Sequence, residues 1–213
     1  MSANPINLFV ILLLAGMLPF AVLMVTSYAK LAIVFSLLRS ALGIQQVPPN
    51  MVLYGISLIL TAYIMSPVGY TMFQLVKDEP IDQANLKTVV AVAGKAKEPL
   101  RVFLVRHARE KDCRFFAKTI KKLWPERKEE YRSDDMIVLI PAFTLSELTA
   151  AFEIGFILFL PFVAIDLIVS NVLMALGMIM MSPLVISLPF KLLLFVMLDG
   201  WSRIVHSLVL SYA

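Results

Sequence analysis

The sequence predicts an all-α integral membrane protein with four apolar, kinked helical elements in helical hairpins and a small helical extramembrane insert between the second and third. Of its 213 residues, 60% are hydrophobic and 16% are charged, whereas soluble domains have about half and about a quarter. Several apolar runs reach the ~20 residues needed to cross a hydrocarbon core. All but eight charged residues lie between Lys77 and Asp135, which marks that segment as the extramembrane part.

The first element is the apolar run 6–29, read as a retained membrane helix that bends near Pro19. No Lys or Arg precedes Lys30, so the charged n-region of a secretory signal is missing.

The second element completes an N-terminal helical hairpin, residues 1–76. Residues 30–42 continue the helical pattern, Gly43 predicts its end, and Asn50 is a suitable N-cap for the next helix. Residues 51–76 are the second run of membrane length, and the predicted hairpin ends where the charges begin.

The insert comprises residues 77–135, and its composition predicts a small helical domain. Apolar side chains recur at i, i+4, i+7 and i+8, as on one face of an amphipathic helix: Phe116, Ile120, Leu123 and Trp124. The eight outlying charges cancel, so the net charge of +4 belongs to the insert. That excess is small and mixed with acids, which argues against nucleic acid as a partner. Because the positive-inside rule weakens for loops near ~60 residues, the side of the membrane stays open.

Residues 136–213 are predicted to form a C-terminal helical hairpin with a Met-rich turn. Residues 192–212 are the last predicted span within it. Gly177 and Pro183 bracket the turn, and Pro189 disfavours a straight helix beyond it.

The Met cluster allows two interpretations. Met174, Met178 and Met181 recur at i, i+4 and i+7, so a helical stripe could simply fill the core. Alternatively, flexible thioethers in a Gly/Pro-bounded turn could seal a constriction and deform around a passing chain.

Charged residues within the apolar segments are the other candidates, because a charge at bilayer depth costs at least ~3 kcal/mol and usually faces protein or water. We expect intramembrane polar or subunit contacts at eight positions: Lys30, Arg39, Glu147, Glu153, Asp166, Lys191, Asp199 and Arg203. Three of these residues lie at predicted helix ends: Lys30, Arg39 and Lys191. Their side chains could instead extend to the membrane surface. Asp199 and Arg203, four residues apart, could pair on one helix face.

No catalytic, cofactor or metal motif is present. The sequence lacks GxxxxGK[ST], GxGxxG, HExxH, paired cysteines and GxSxG, and the single Cys113 has no assigned role. A membrane enzyme therefore lacks support. An ion-coupled secondary transporter using Glu153 and Asp166 remains an alternative, although it would be expected to carry an internal repeat, which we do not see.

Several sequence blocks closely resemble the FliP/SctR (YscR, HrcR) family, core export-apparatus proteins of flagellar and injectisome type III secretion. The matching blocks are TSYAKLAIVFSLLRSALGIQQVPPN, IMSPVG, PAFTLSEL, AFEIGF, LPFVAIDLIVSN, LMALGM and LPFKLLLFVMLDGW. They cover nearly the whole chain outside the insert.

The resemblance implies a pore-forming subunit of the export gate, conducting unfolded proteins across the bacterial inner membrane in contact with lipid. It implies a homopentamer-like assembly with SctS- and SctT-type subunits, together with SctU-type switch and SctV-type gate proteins. The complex would project toward the periplasm, where the insert would lie.

The resemblance also implies that the turn forms the pore gasket, at Met178, Ile179, Met180 and Met181. The family turn usually has three consecutive Met, and here Ile179 interrupts them. Because Ile is stiffer than Met, the seal would differ unless Met181 compensates. The missing secretory n-region favours the injectisome branch.

Overall fold

A computed structural model describes residues 5–44, 46–77, 86–124, 131–178 and 180–213. Within these residues there is no strand, and the chain forms eight helices: α1 Pro5–Met24, α2 Tyr28–Leu42, α3 Asn50–Val76, α4 Leu86–His107, α5 Glu110–Leu123, α6 Met136–Ala175, α7 Pro183–Met197 and α8 Gly200–Leu210. The predicted all-α class is confirmed.

Two helices in the described part of the chain, α3 and α6, are long and apolar enough to cross a membrane. A third candidate arises if α7 and α8, which are bent by 59°, are taken together as one span. The helix α1 is apolar and has no charged residue, and it continues through Pro19. The membrane character is therefore confirmed, whereas the count of four apolar elements stays a prediction.

The predicted last span at residues 192–212 stays a prediction, and in the structure this stretch is bent by 59° between α7 and α8. Helix α7 ends at Met197 and α8 begins at Gly200, so two residues break the helix. Asp199 has a positive φ of 51°, in the left-handed region that ends right-handed helices. A Cβ at Gly200 would lie 2.2 Å from a ring carbon of Phe195, so this close approach requires glycine.

The chain divides into two compact units. The first comprises residues 1–29 and 61–147, and the second comprises residues 30–60 and 148–213. The division of the chain into residues 1–76, 77–135 and 136–213 stays a prediction.

In the first unit, α4 and α5 pack on the beginning of α6. The rings of Phe103 and Phe143 have centroids 5.7 Å apart, and Arg101 donates to Asp134 at 2.9 Å. Ile120 is buried as the amphipathic pattern predicts, but Leu123 is 66% exposed at the end of α5. Cys113, two helical turns before Ile120 on the same side of α5, is buried as well.

In the second unit, α2, α6, α7 and α8 share a core. Its centre is a cluster of buried apolar side chains, with Leu38, Ala41, Leu42, Phe162 and Phe195. Trp201 of α8 packs its ring against Phe35 (6.2 Å between centroids) and Phe195 (5.5 Å). A Cβ at Gly155 would lie 2.3 Å from the Leu37 side chain, so α2 and α6 approach closely there.

Candidate functional site

The Met-rich turn begins where α6 ends in a Schellman motif. Gly177 has a φ of +73°, and its N–H donates to the carbonyl of Met174 at 3.0 Å. The N–H of Met178 donates to the carbonyl of Leu173 at 2.9 Å. These two bonds satisfy carbonyls that the helix end would otherwise leave unpaired. The predicted role of Gly177 as a helix end is confirmed, and Gly43, with φ +78°, ends α2 in the same backbone region.

The far side of the turn begins α7 with Ser182 as the N-cap residue and Pro183 as the first helical residue. Proline suits that position because its missing N–H has no helical partner there. Gly177 and Pro183 therefore bracket the turn as predicted. Ile179, the second residue of the predicted gasket, lies outside the described residues.

The thioethers of the turn are exposed and not helical. Met178 is 41% exposed, Met180 is fully exposed and Met181 is 44% exposed. Since α6 ends at Ala175, Met178 and Met181 do not continue a helical stripe from Met174, so the interpretation of a helical Met stripe as core filler is wrong. The turn and its flanks contain no charged residue between Asp166 and Lys191.

Below the turn, a buried ion pair joins the two arms. Lys191 Nζ lies 2.7 Å from Asp166 Oδ2, and Ser187 Oγ donates to Asp166 Oδ1 at 2.5 Å. The Lys191 ammonium also donates to the carbonyl of Ala41 at 3.4 Å, in the last turn of α2. A cation at a helix C-terminus is favoured by the unpaired carbonyls there. Lys191 thereby connects α2, α6 and α7.

Sequence reasoning identified Asp166 and Lys191 but did not pair them, and it missed Ser187. A signal was available, because Asp166 and Lys191 lie the same number of residues from the midpoint between Met178 and Ile179. Antiparallel arms of a hairpin bring such positions to the same level. Ser187, four residues before Lys191, faces the same side of α7.

An apolar groove lies between the arms on the turn side of this pair. It has a volume of about 420 Å³. Its lining is entirely aliphatic or aromatic: Ile165, Ile168, Val169, Val172, Leu173, Ile186 and Phe190.

Two further predicted cations have defined contacts. Lys30 is 4% exposed, and its Nζ lies 3.7 Å from the centroid of the Tyr212 ring, a cation–π geometry. Because Lys30 and Lys191 are both buried, the surface-reaching interpretation is wrong for them. Arg39 donates to the Asn50 side-chain oxygen at 2.5 Å and to the Pro48 carbonyl at 3.3 Å. The Asn50 side chain thus binds Arg39.

The remaining predicted positions differ in environment. Glu147 is 3% exposed, Glu153 is exposed, and both take part in a polar or electrostatic contact. The structure describes no ion pair between Asp199 and Arg203; the Arg203 N–H donates to the Asp199 carbonyl at 3.1 Å instead. Arg203 lines an otherwise mostly apolar groove of about 400 Å³ beside Ile154.

The insert holds a small polar cluster at the start of α5. Ser146 Oγ donates to Asp112 at 2.8 Å and accepts from the Arg109 N–H at 2.9 Å. Burial raises the pKa of the neighbouring Cys113 thiol, and the charge of Asp112 raises it further. A protonated thiol is a weak metal ligand, and no group of His, Cys, Asp or Glu among the described residues could hold a metal ion.

The helices and the turn define a multi-pass helical membrane protein whose prominent loop is apolar. A model of the FliP family matches residues 11–208. The Yop proteins translocation protein R of Yersinia pestis is 49% identical over 98% of this chain and 97% of its own length. The virulence protein YscR of Salmonella typhimurium is 46% identical over 99% of this chain and 98% of its own length.

The flagellar biosynthetic protein FliP of Buchnera aphidicola is 46% identical over 98% of this chain and 56% of its own length. The chain belongs to the FliP family, which confirms the resemblance drawn from the sequence blocks. It is thus a type III secretion or flagellar export-apparatus protein of the inner membrane, a component that assembles with other export subunits.

Proposed function

We propose that this chain is a pore-forming subunit of an injectisome export gate, in which the Met-rich turn seals the channel around an unfolded substrate. The observation that carries the proposal is the turn itself: non-helical backbone with exposed thioethers at Met178, Met180 and Met181 and no charge nearby. Non-helical backbone at membrane depth is tolerated only where it is buried in protein or lines a cavity. An apolar turn of this kind suits the narrowest part of a pore.

Thioether side chains fit this role because they are unbranched and polarizable. They can close against one another to exclude ions and separate around an extended polypeptide of any sequence. The buried pair of Asp166 and Lys191 would hold the arms in register below the turn while the turn itself deforms.

The partners and the topology belong to the same proposal. We infer a homopentamer-like ring with SctS- and SctT-type subunits, contacts with SctU- and SctV-type proteins, and an insert on the periplasmic side. The Yersinia and Salmonella relatives, which this chain matches over nearly their whole length, support the injectisome branch over the flagellar one.

The alternative of an ion-coupled transporter requires a carboxylate that binds and releases its ion. Asp166 is engaged by both Lys191 and Ser187, an arrangement that suits a fixed structural charge better than a carrier. This observation favours the gate.

The test is the ion conductance of the assembled complex in planar bilayers. Replacing Met178, Met180 and Met181 by Ala removes the flexible side chains from the turn, and we expect the closed complex to leak small ions. A matched control replaces three exposed Met outside the turn by Ala: Met17, Met51 and Met197. Conductance that is equally low in both triple variants would contradict the seal.

A further inference from the structure

Two charged residues of the second unit, Asp199 and Arg203, lie at the corner where α7 and α8 meet. Both side chains are exposed, and neither forms a hydrogen bond or an ion pair with any residue that the structure describes. The other charged residues of this unit each have a polar or electrostatic contact: Lys30, Arg39, Glu153, Asp166 and Lys191. The corner therefore presents one acid and one base without partners among the described residues.

The backbone explains why these two residues do not pair within one chain. Side chains four residues apart meet on a continuous helix, but α8 begins only at Gly200, after Asp199. Asp199 has a positive φ of 51°, which takes its side chain out of the helical register. The contact between the two residues is instead a backbone bond, from the Arg203 N–H to the Asp199 carbonyl.

The surfaces around the two charges are apolar and differ in shape. Asp199 follows three exposed apolar residues at the end of α7: Val196, Met197 and Leu198. Arg203 lines the groove of about 400 Å³ between α6 and α8, where Ser207 adds a hydroxyl and the remaining lining is aliphatic. One chain thus carries an exposed apolar corner with an acid and an apolar groove with a base.

We propose that Asp199 of one copy of this chain pairs with Arg203 of a neighbouring copy, with the apolar corner beside Asp199 seated in the groove. An apolar projection and a groove that matches it on the same molecule let copies associate with one another. Acyl chains could cover both apolar surfaces, but they would leave both charges without a partner. A second copy supplies both charges in equal number. The inference rests on the proposed assembly of several copies and not on the pore.

A zero-length cross-link tests this contact in the assembled complex. We co-express a tagged chain carrying Asp199→Asn and Arg203→Lys with an untagged, otherwise unmodified chain. A carbodiimide joins a carboxylate directly to an amine, so we expect an amide between Asp199 of the untagged chain and the new amine of the tagged one, identified by peptide mass spectrometry. Asp199→Asn in the untagged chain should abolish this product. As a matched control, His206→Lys places an amine on the same helix with Arg203 unchanged, and its yield with Asp199 should be much lower.

The outcomes separate this contact from the proposed ring. Absence of the product in a complex whose native mass shows several copies would overturn the contact and leave the ring standing. The product in complexes that stop at dimers would support the contact and contradict the ring. A chain that stays monomeric would overturn both.

Neutralising the charges tests the energetic part of the proposal. Asparagine also adopts the left-handed conformation, so Asp199→Asn should fold. Asp199→Asn and Arg203→Gln should each weaken association of the copies on the order of tenfold, measured by mass photometry of diluted complexes. The double variant should be no weaker than either single variant, because each already breaks the pair.

A control and a contrary outcome complete this test. Lys97→Gln, which neutralises an exposed charge on α4, should leave the association unchanged. Losses that multiply in the double variant of Asp199 and Arg203 would overturn the pairing. Losses that occur only when SctS- or SctT-type subunits are present would also overturn it, and would identify a carboxylate of another subunit as the partner of Arg203.

Discussion

Lys191 is the residue on which the C-terminal hairpin most depends. The Lys191 side chain is 3% exposed, and its ammonium donates to Asp166 and to the Ala41 carbonyl. Removing one partner of a buried pair leaves an uncompensated charge, which typically costs about 3–5 kcal/mol. We expect Asp166→Ala to approach this cost. Lys191→Met should cost less, because the Asp166 side chain is 26% exposed and keeps its bond to Ser187.

A double-mutant cycle measures this coupling by denaturant titration in mixed micelles. The double variant of Asp166→Ala and Lys191→Met should be more stable than the sum of the single effects predicts, by more than about 1 kcal/mol. As a control, Glu110→Gln breaks the solvent-exposed pair with Arg114 and should leave the unfolding midpoint unchanged. Strict additivity at positions 166 and 191 would show that the pair does not stabilise the hairpin.

Cys113 is the only cysteine, so its alkylation can be followed directly. Because burial raises its pKa, we expect iodoacetamide at pH 8 to label the folded chain far more slowly than the same chain unfolded in detergent. Asp112→Asn removes the neighbouring charge and should speed the reaction. Equal labelling rates for folded and unfolded chains would contradict the burial of this thiol.

The raised pKa of the Cys113 thiol also makes the stability of the fold depend on pH. The folded thiol keeps its proton to a higher pH than the unfolded one, whose pKa is about 8.5. The stabilising contribution of this thiol is therefore complete below a pH of about 8.5 and is lost as the pH rises through the raised pKa of the folded state.

At the scale of elements, the close approach of α2 and α6 can be tested at glycines. A Cβ at Gly155 would lie 2.3 Å from Leu37 Cδ1, so Gly155→Ala should destabilise the protein by about 1–3 kcal/mol. Gly69 in α3 has nothing within 4 Å of such a Cβ, and Gly69→Ala should stabilise by up to about 1 kcal/mol through helix propensity.

The same denaturant titration compares the two substitutions. Adding Leu37→Ala to Gly155→Ala should relieve part of the loss, since it removes the atoms that the new Cβ meets. Changes in the free energy of unfolding that have the same sign for Gly69→Ala and Gly155→Ala would contradict close packing at Gly155.

The helices and turns were predictable because their signals are local. Apolar length predicts α3 and α6, Gly43 and Gly177 predict helix ends, and the charge distribution predicts the insert. The break before α8 was missed because Asp199, rather than a glycine, adopts the left-handed conformation there. Aspartate is one of the few non-glycine residues that adopt positive φ, so the Asp199-Gly200 dipeptide was an available turn signal.

The tertiary contacts were predictable only in part. Asp166 and Lys191 could be singled out as costly charges in apolar surroundings, and their equal distance from the turn could have paired them. The bond from Ser187 and the contact with the Ala41 carbonyl depend on how three helices meet, which no single stretch of sequence encodes. Similarly, the apolar pattern of α5 predicted Leu123 as buried, but the site at the end of that helix is open.

At the scale of the whole molecule, the chain exposes an unusual amount of apolar surface that partner subunits and lipid would cover. Large exposed side chains run along α3 and α6 and through the Met-rich turn, among them Ile59, Phe73, Phe156, Leu167 and Met180. Within a bilayer, lipid can cover the helices, but the non-helical turn requires protein or a pore lumen around it. We therefore expect the functional unit to be an assembly.

The native mass of this chain, purified in mild detergent with and without SctS- and SctT-type subunits, tests that claim most directly. We expect a ring of several copies that gains mass when the two partners are present. A stable monomer or dimer whose mass does not change when the partners are added would contradict the export-gate assignment.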